Sequence, residues 1–357
     1  YTPTHTLSLH DALPISFQGQ YYDCKFKETG EKWMDGAQGG EVVPGYLTDV
    51  ITDKSINWLE NKRNKEKPFL LMIGHKAPHS PHNPAKRHAN LFDEKVFPEP
   101  STLYDKLDGK AAGEIENKLS ASRLQICILP QYREIAEKYK DQREEGTKAI
   151  YQEFLKGYLR LVASLDENVG RLLNYLKEKG LVENTIVVYT SDNGFFLGEH
   201  GFYNKMWMYE PSLTIPFIIR YPRAIKGGQE NNSLCKLMDL TPTLLDYSNV
   251  KIPADMQGLS MRAVIEANKK KNHESIYYHY YPRFNVPEMI GLKTERFKII
   301  HYPASDIKTK WELYDLKKDP EEKNNIYGNN RKLAEKMTQQ LLLQKNKVAD
   351  PIKIVLD

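Results

Sequence analysis

Long hydrophobic runs, cysteines and a strong net charge are all scarce in this sequence. Uninterrupted apolar runs are short, Phe69–Ile73 being an example, whereas a membrane-spanning helix needs about 20 apolar residues. The three cysteines, Cys24, Cys127 and Cys235, lie far apart and form no metal-binding or redox spacing, so at most one disulfide could form within the chain. The net charge of +4 is spread along the chain and does not indicate nucleic acid as a partner. We therefore expect no membrane span and no disulfide-stapled fold.

The composition is that of an ordinary globular protein. Hydrophobic residues make up 40% and charged residues 27% of the 357 residues, enough for one large domain or a large domain with a small companion. Residues 1–16 share no pattern with the rest, and their core, TLSLHDALPI, reads like a translated sequencing-adapter oligonucleotide. We interpret residues 1–16 as a non-native artefact, with a natural disordered terminus as the alternative. On this interpretation the true amino-terminal part of the protein is missing.

Alternating helical and strand patterns predict an α/β fold. Residues 46–63 and about 148–179 carry apolar residues at helical spacing, and Gly180 is a suitable stop for the second helix. Phe69–Ile73 and Thr185–Tyr189 are typical of strands buried on both faces. This order of elements predicts a parallel sheet covered by helices, in which ligands bind beyond the carboxyl ends of the strands.

The residue pattern of the sequence changes after residue 265. The charged stretch 266–274 indicates a linker, and the segments SIYYHYY, MIGLKTERFKIIHY and WELYDL are rich in strand-forming residues. A helical pattern covers roughly 330–347. We predict a small α+β subdomain over 275–357, in which one helix packs on an antiparallel sheet.

Hard oxygen donors follow the second predicted strand. In VVYTSDNGFFLGEHGFYNK, Asp192 and Asn193 come directly after the apolar run, and Lys205 lies in the loop beyond them. Carboxylate and amide oxygens suit Ca²⁺ or Mg²⁺, and a divalent cation with a lysine ammonium would bind an anionic tetrahedral group. The alternative is that Asp-Asn-Gly only forms a turn, which is its commoner role.

Histidines are concentrated in the loop after the first predicted strand. The segment GHKAPHSPHNPAKRH contains His75, His79, His82 and His88. Three prolines restrict this loop, and neither a paired-cysteine pattern nor an HExxH helix is present, so zinc is disfavoured. A single histidine held at a strand end as a general acid fits better, and an ordinary surface position is the alternative for each of them.

Four segments together resemble the type I, formylglycine-dependent sulfatases. They are KPFLLMIGHKAPHSPHNPA, YTSDNGFFLGEHGFYNKMWMYEPSLTIPFIIRYP, LMDLTPTLLDYSNVKIPADMQGLSM and WELYDLKKDPEEKNNIYG. The resemblance runs from about residue 17 to the carboxyl terminus and is greatest to the N-acetylglucosamine-6-sulfatase and glycosaminoglycan-sulfatase group. It implies an alkaline-phosphatase-like α/β/α sandwich with its amino-terminal part missing. Residues 17–265 would be the carboxyl-terminal part of that catalytic domain, and 275–357 a small antiparallel-sheet subdomain.

The resemblance implies catalytic roles for two residues and metal-binding roles for two others. His79, in APHSP, matches the histidine that binds the sulfate ester and protonates the leaving oxygen. Lys205 matches the lysine that contacts the sulfate oxygens. Asp192 and Asn193 match two ligands of a single Ca²⁺ site.

Four further residues are candidates for contact with the substrate. Glu199 and His200 lie in the same loop as Lys205. Tyr281 and Arg283 lie in YYHYYPRFNVPEM, although exposed Tyr and Arg on a small sheet are more often ordinary surface. The same segment departs from the pattern of related carbohydrate sulfatases, which leaves the identity of the sulfated sugar open.

Two parts of the family's active site have no match in this sequence. No two aspartates are adjacent, and none of the cysteines or serines begins a C/S-x-P-x-R motif, the site at which the family forms formylglycine. The family places both parts upstream of the APHSP loop. We therefore expect the formylglycine, half of the Ca²⁺ ligands and any signal peptide to lie in a missing amino-terminal region.

The implied activity is that of a sulfuric ester hydrolase acting on sulfated carbohydrate, in the periplasm or secreted. The oligomeric state stays open. One alternative is a phosphodiesterase or phosphonate hydrolase of the same superfamily, although Asn193 stands where a second metal would favour histidine. Another is a non-catalytic carbohydrate-binding protein derived from a sulfatase.

We expect the 357-residue chain by itself to show no sulfatase turnover. The sequence contains no match to the nucleophile motif, and the nucleophile carries covalent catalysis. The measurement is hydrolysis of nitrophenyl sulfate and of sulfated sugars by the purified chain. Robust Ca²⁺-dependent turnover would contradict this expectation.

Overall fold

The computed structural model describes residues 20–26, 41–118, 130–266, 271–283, 286–304, 306–352 and 354. They form two compact units, which are treated separately. The first comprises the described residues of 1–98 and 129–183, and the second those of 99–128 and 184–357. The predicted artefact at 1–16 and the centre of the predicted linker, 267–270, lie outside the described residues.

The described elements mix helices and strands. The strands are β1 (Tyr22–Phe26), β2 (Glu41–Tyr46), β3 (Val187–Thr190), β4 (Phe217–Arg220), β5 (Ser275–Tyr280), β6 (Met289–Thr294), β7 (Phe297–His301) and β8 (Trp311–Asp315). The helices are α1 (Leu47–Asn57), α2 (Ala111–Lys118), α3 (Pro130–Lys138), α4 (Arg143–Glu178), α5 (Glu210–Leu213), α6 (Leu240–Tyr247), α7 (Arg262–Ile265) and α8 (Arg331–Lys347). A π-helical turn, Trp58–Lys62, extends α1.

Helical periodicity predicted the two main helices of the first unit. The pattern over 46–63 corresponds to α1 with its π-helical turn, and that over 148–179 to α4, which begins at Arg143. Gly180 ends α4 with a φ of +65°, a backbone conformation that favours glycine. The antiparallel pair β1–β2 packs with α1 around a small apolar cluster that includes Phe26, Leu47 and Ile51.

The predicted parallel sheet is not found among the described residues. β3 pairs with β4, and the pairing is antiparallel. Phe69–Ile73 forms no named strand, and because Leu70 and Met72 are 58% and 49% exposed, the segment is not buried on both faces. An apolar run sets a preference for extended backbone, whereas the choice and direction of a partner strand depend on residues far away in the chain.

The carboxyl-terminal sheet confirms the prediction for that region. β5, β6, β7 and β8 pair in this order, and each pairing is antiparallel. Apolar residues of α8, including Met337 and Leu341, pack on Ile290, Leu292 and Ile299 of the sheet. The sheet belongs to the same compact unit as β3 and β4. The predicted domain boundary near 265–275 stays a prediction.

A buried ion network joins this sheet to the segment between β3 and β4. Lys298, on β7, is fully buried, and its Nζ lies 2.7 Å from Oε1 of both Glu210 and Glu322. Lys293, on β6, bonds the other carboxylate oxygen of Glu210. Burial alone would raise the pKa of Glu210, but the charges of Lys298 and Lys293 and their hydrogen bonds lower it to about 2.

This depressed pKa predicts a loss of stability in acid. A carboxyl group with a lower pKa in the folded than in the unfolded chain stabilises the fold above its unfolded pKa, and this contribution disappears as the pH falls towards the folded value. We expect the free energy of unfolding to fall by on the order of 3 kcal/mol through Glu210 between about pH 5 and about pH 2.

Urea denaturation across this pH range measures the effect. Glu210→Gln should already be destabilised at pH 7 and should depend less on pH. The control is Glu335→Gln on the exposed face of α8, which should keep the wild-type pH dependence. A wild-type pH dependence in Glu210→Gln would show that the network does not carry the acid sensitivity.

Candidate functional site

The Asp-Asn-Gly sequence forms a tight bend at the end of β3. The Ser191 hydroxyl donates to the Asn193 backbone oxygen at 2.9 Å, and Asn193 Nδ2 donates to Gly194 O at 2.6 Å. Because Nδ2 is bound by the local backbone, the orientation of the Asn193 amide is set and Oδ1 is left to accept from elsewhere. The Asp192 side chain is exposed beside it.

The long loop after this bend returns Lys205 to Asn193. Lys205 Nζ donates to Asn193 Oδ1 at 3.0 Å across 12 residues of sequence. The two legs of the loop are joined by backbone bonds from Phe196 N to Asn204 O at 2.7 Å and from Gly198 N to Phe202 O at 2.9 Å. The structure therefore brings two of the predicted site residues into direct contact. The partner of Lys205 in this contact is an amide and not a carboxylate.

Gly194 is required by close packing. A Cβ at this position would lie 2.2 Å from Pro211 O and 2.6 Å from Thr214 O, both backbone atoms. Its backbone N–H donates to Ser212 O at 3.0 Å. The glycine lets the end of β3 lie directly against the segment that follows the Lys205 loop.

Glu199 and His200 make contacts within the protein. The Glu199 carboxylate accepts from Leu197 N at 2.6 Å, which stabilises the turn of its own loop. The His200 side chain is 2% exposed, and its Nδ1 lies 2.7 Å from Asp105 Oδ2. This placement argues against contact between the His200 ring and a substrate, and a substrate contact for Glu199 stays a prediction.

Asp105 is a half-buried partner of His200 that the sequence did not indicate. The same carboxylate oxygen accepts from Lys110 Nζ at 2.6 Å, and the Lys110 side chain is fully buried. Burial would raise the pKa of Asp105, but the hydrogen bonds from His200 and Lys110 lower it. Asp105 lies 95 residues from His200 with no motif around it, so no local signal could have identified the pair.

Tyr281 and Arg283 lie at the end of β5. Tyr281 is 67% exposed and stacks on the His279 ring, with centroids 4.1 Å apart. His279 lies between two carboxylates, with Nδ1 2.6 Å from Asp350 Oδ2 and Nε2 3.0 Å from Glu288 Oε1. Arg283 is exposed and forms an isolated backbone bridge with Val286. Roles for Tyr281 and Arg283 in substrate binding stay predictions.

His79 belongs to the first unit, where the backbone and Tyr21 hold its loop. The His79 N–H donates to Lys76 O at 2.9 Å, and the buried Tyr21 hydroxyl donates to His79 O at 2.6 Å. His79 Nδ1 lies 2.8 Å from Ser80 O, an atom that can only accept. Nδ1 therefore carries a proton, and Nε2 is the nitrogen that can exchange one.

The neighbouring histidines are held in the neutral form. Burial lowers the pKa of both His75 and His82 to about 4. His82 is buried and pairs through Nδ1 with the Tyr132 hydroxyl at 2.8 Å. Among the described residues, no three His, Cys, Asp or Glu side chains come together as a metal site.

The donor set at the end of β3 suits a hard cation. Asp192 offers an exposed carboxylate, and Asn193 Oδ1, which already accepts from Lys205, is an amide oxygen. Such oxygens are ligands for Ca²⁺, which takes about six to eight of them. These two residues fit the ion but do not by themselves complete its coordination shell.

Comparison with known proteins identifies the family. The sulfatase family model matches residues 14–250. The chain belongs to the sulfatase family. A second model, described as the carboxyl-terminal region of N-sulphoglucosamine sulphohydrolase, matches residues 198–347 of this chain.

This chain has relatives whose names or ligands include sulfated glucosamine. It is 41% identical to an N-acetylglucosamine-6-O-sulfatase of Bacteroides thetaiotaomicron over 87% of its own length, and it spans 62% of that relative. A solved structure of a protein in complex with its substrate, D-glucosamine-2-N,6-O-disulfate, matches with a TM-score of 0.79 and 38% identity. That match covers 95% of this chain and 75% of the other, and it confirms the alkaline-phosphatase-like sulfatase fold.

A more distant match shares the fold alone. A phosphonate monoester hydrolase of Silicibacter pomeroyi has a TM-score of 0.67 at 22% identity, and the match covers 84% of this chain and 60% of the other. In the part of the chain that the structure describes, no helix has the length and apolar character of a membrane span.

Replacement of Gly194 should disrupt the site through packing. In Gly194→Ala the new methyl group would meet backbone oxygens that cannot move away without opening the bend, and overpacking of this kind costs about 3 kcal/mol. Chemical denaturation measures the loss. Gly170→Ala in α4 is the matched control, because nothing lies within 4 Å of the added methyl group there. The control should be neutral or stabilised by about 1 kcal/mol, and equal stability of the two variants would contradict the packing argument.

Proposed function

We propose that this chain carries part of the active site of a sulfatase that hydrolyses a sulfate ester on a carbohydrate. The observation that carries the proposal is the 3.0 Å contact between Lys205 Nζ and Asn193 Oδ1, beside the exposed carboxylate of Asp192. A fixed ammonium next to hard oxygen donors can bind the oxygens of an anionic tetrahedral group. Family membership and the 41% identical relative support sulfate as that group.

Each residue has a distinct role in this proposal. Asp192 and Asn193 would hold Ca²⁺, which when bound would neutralise charge on the sulfate. Lys205 binds the sulfate oxygens. His79, protonated at Nε2, donates that proton to the sugar oxygen as its bond to sulfur breaks, and the electron pair of that bond stays on the oxygen. The nucleophile would be the family's formylglycine, and no residue of this chain is proposed for it.

We propose a 6-O-sulfated glucosamine unit of a glycosaminoglycan as the substrate class. The support is the relative described as an N-acetylglucosamine-6-O-sulfatase and the related structure with a 2-N,6-O-disulfated glucosamine. The protein would act outside the cytoplasm, where such polysaccharides occur. The phosphonate monoester hydrolase is the less favoured comparison, because it shares only the fold and because Asn193 supplies an amide where a second metal would favour histidine.

Comparison of leaving groups tests the roles of Lys205 and His79 in the product of the complete reading frame. Lys205→Ala should lower kcat/KM on every sulfate ester, since charge neutralisation is needed whatever the leaving group. His79→Ala should lower kcat/KM by roughly 10²–10⁴-fold on glucosamine 6-sulfate, whose alkoxide is a poor leaving group. It should have much less effect on nitrophenyl sulfate, which needs little protonation.

Both substrates must be measured on the same enzyme preparation, so that any misfolded fraction lowers the two kcat/KM values equally. Lys226→Ala, an exposed lysine, is the control for loss of a positive charge and should behave as wild type. An equal loss on both substrates for His79→Ala would remove the general-acid role. Absence of sulfate-ester hydrolysis by the wild-type protein, together with hydrolysis of phosphonate esters, would overturn the proposed function.

A further inference from the structure

One serine bonds to the residue that follows each member of the Asn193–Lys205 pair. Ser212, in the short helix α5, accepts from Gly194 N through its backbone oxygen at 3.0 Å. Its side-chain Oγ accepts from Met206 N, also at 3.0 Å. Gly194 directly follows Asn193, and Met206 directly follows Lys205. A single residue is therefore bonded to the chain on both sides of the contact.

The bond to Met206 restrains a strained backbone. Met206 has a φ of +89°, a conformation that a residue with a side chain rarely adopts. Such a conformation persists only where neighbouring contacts enforce it. Ser212 is 7% exposed, so water can hardly replace its hydroxyl as the acceptor. Loss of the hydroxyl would leave Met206 free to relax and to carry Lys205 with it.

The position of α5 is in turn set by the carboxyl-terminal sheet. Glu210, two residues before Ser212, forms ion pairs with Lys293 of β6 and with the buried Lys298 of β7. Its backbone N–H donates to Glu322 Oε2 at 2.6 Å. The sheet therefore fixes α5 through Glu210. Through Ser212, α5 in turn restrains the residues that follow Asn193 and Lys205.

We propose that Ser212 is a positioning residue for sulfate binding, which sets Lys205 against Asn193 by holding Gly194 through its carbonyl and Met206 through its hydroxyl. This inference rests on the proposed function for what Lys205 binds. It also makes the carboxyl-terminal sheet a support for the active-site lysine, through Glu210.

A double-mutant cycle between Ser212→Ala and Lys205→Ala tests the proposal in the product of the complete reading frame. Ser212→Ala alone should lower kcat/KM for glucosamine 6-sulfate about tenfold, the size expected for one lost hydrogen bond with relaxation of the loop. In the Lys205→Ala background the same change should lower kcat/KM less than about twofold, because the group that Ser212 positions is already absent. Ser212→Thr, which keeps the hydroxyl, should restore most of the wild-type value.

Ser260→Ala is the matched control, because the Ser260 hydroxyl also accepts a backbone N–H, from Arg262 at 3.2 Å, and contacts neither site residue. It should leave kcat/KM unchanged. If Ser212→Ala does not fold, Ser212→Cys takes its place in the cycle, since a thiol has a similar size but accepts weakly. An equal fold-loss in both Lys205 backgrounds would mean that Ser212 only stabilises the fold.

A crystal structure of the Ser212 variant separates this proposal from the proposed function. We expect the distance from Lys205 Nζ to Asn193 Oδ1 to lengthen from 3.0 Å to beyond hydrogen-bond range. An unchanged distance would overturn the positioning role whatever the protein hydrolyses. Absence of turnover in the wild-type protein would instead overturn the proposed function. The distance from Lys205 Nζ to Asn193 Oδ1 in the variant would still decide whether Ser212 positions the lysine.

Discussion

The buried ammonium of Lys298 is the constraint on which the second unit depends. A fully buried charge is tolerated only when it is paired and hydrogen-bonded, and Lys298 has the carboxylates of Glu210 and Glu322 at 2.7 Å. Removal of one partner from such a group costs about 3–5 kcal/mol, because the remaining charge is left buried. The pairing therefore specifies how the carboxyl-terminal sheet and the segment between β3 and β4 pack within one unit.

Close backbone packing extends this constraint from the sheet to the candidate site. Glu210 leads into Ser212, and the carbonyl of Ser212 holds Gly194 at a separation that leaves no space for a Cβ. The loop between them passes through left-handed conformations at Gly198, His200 and Gly201. His200 has a side chain and needs an external contact to stay there, and Asp105 supplies it. The apolar residues of the same loop enter the core of the unit, which fixes its path.

Local sequence patterns predicted the main helices but not how the strands pair. α1, α4 and α8 followed from 3.6-residue periodicity, because a helix makes its hydrogen bonds within a short window. The partner of β3 did not follow, because strand pairing joins distant segments, and the predicted parallel sheet was wrong for the described residues. At the site, the resemblance indicated Asn193 and Lys205, which the structure places in contact. Asp105 and Ser212 were missed because their roles depend on packing that no motif encodes.

The partners of the lysines distinguish structural charges from a charge available to a ligand. Lys110 is paired with Asp105, and Lys298 with two glutamates, so each lies in an environment that already balances its charge. Lys205 donates to an amide oxygen, which orients the ammonium without neutralising it. A carboxylate in place of Asn193 would hold the lysine as well but would repel an incoming anion. The carboxamide therefore suits the proposed binding of a sulfate ester by Lys205, because it orients the lysine without adding a negative charge.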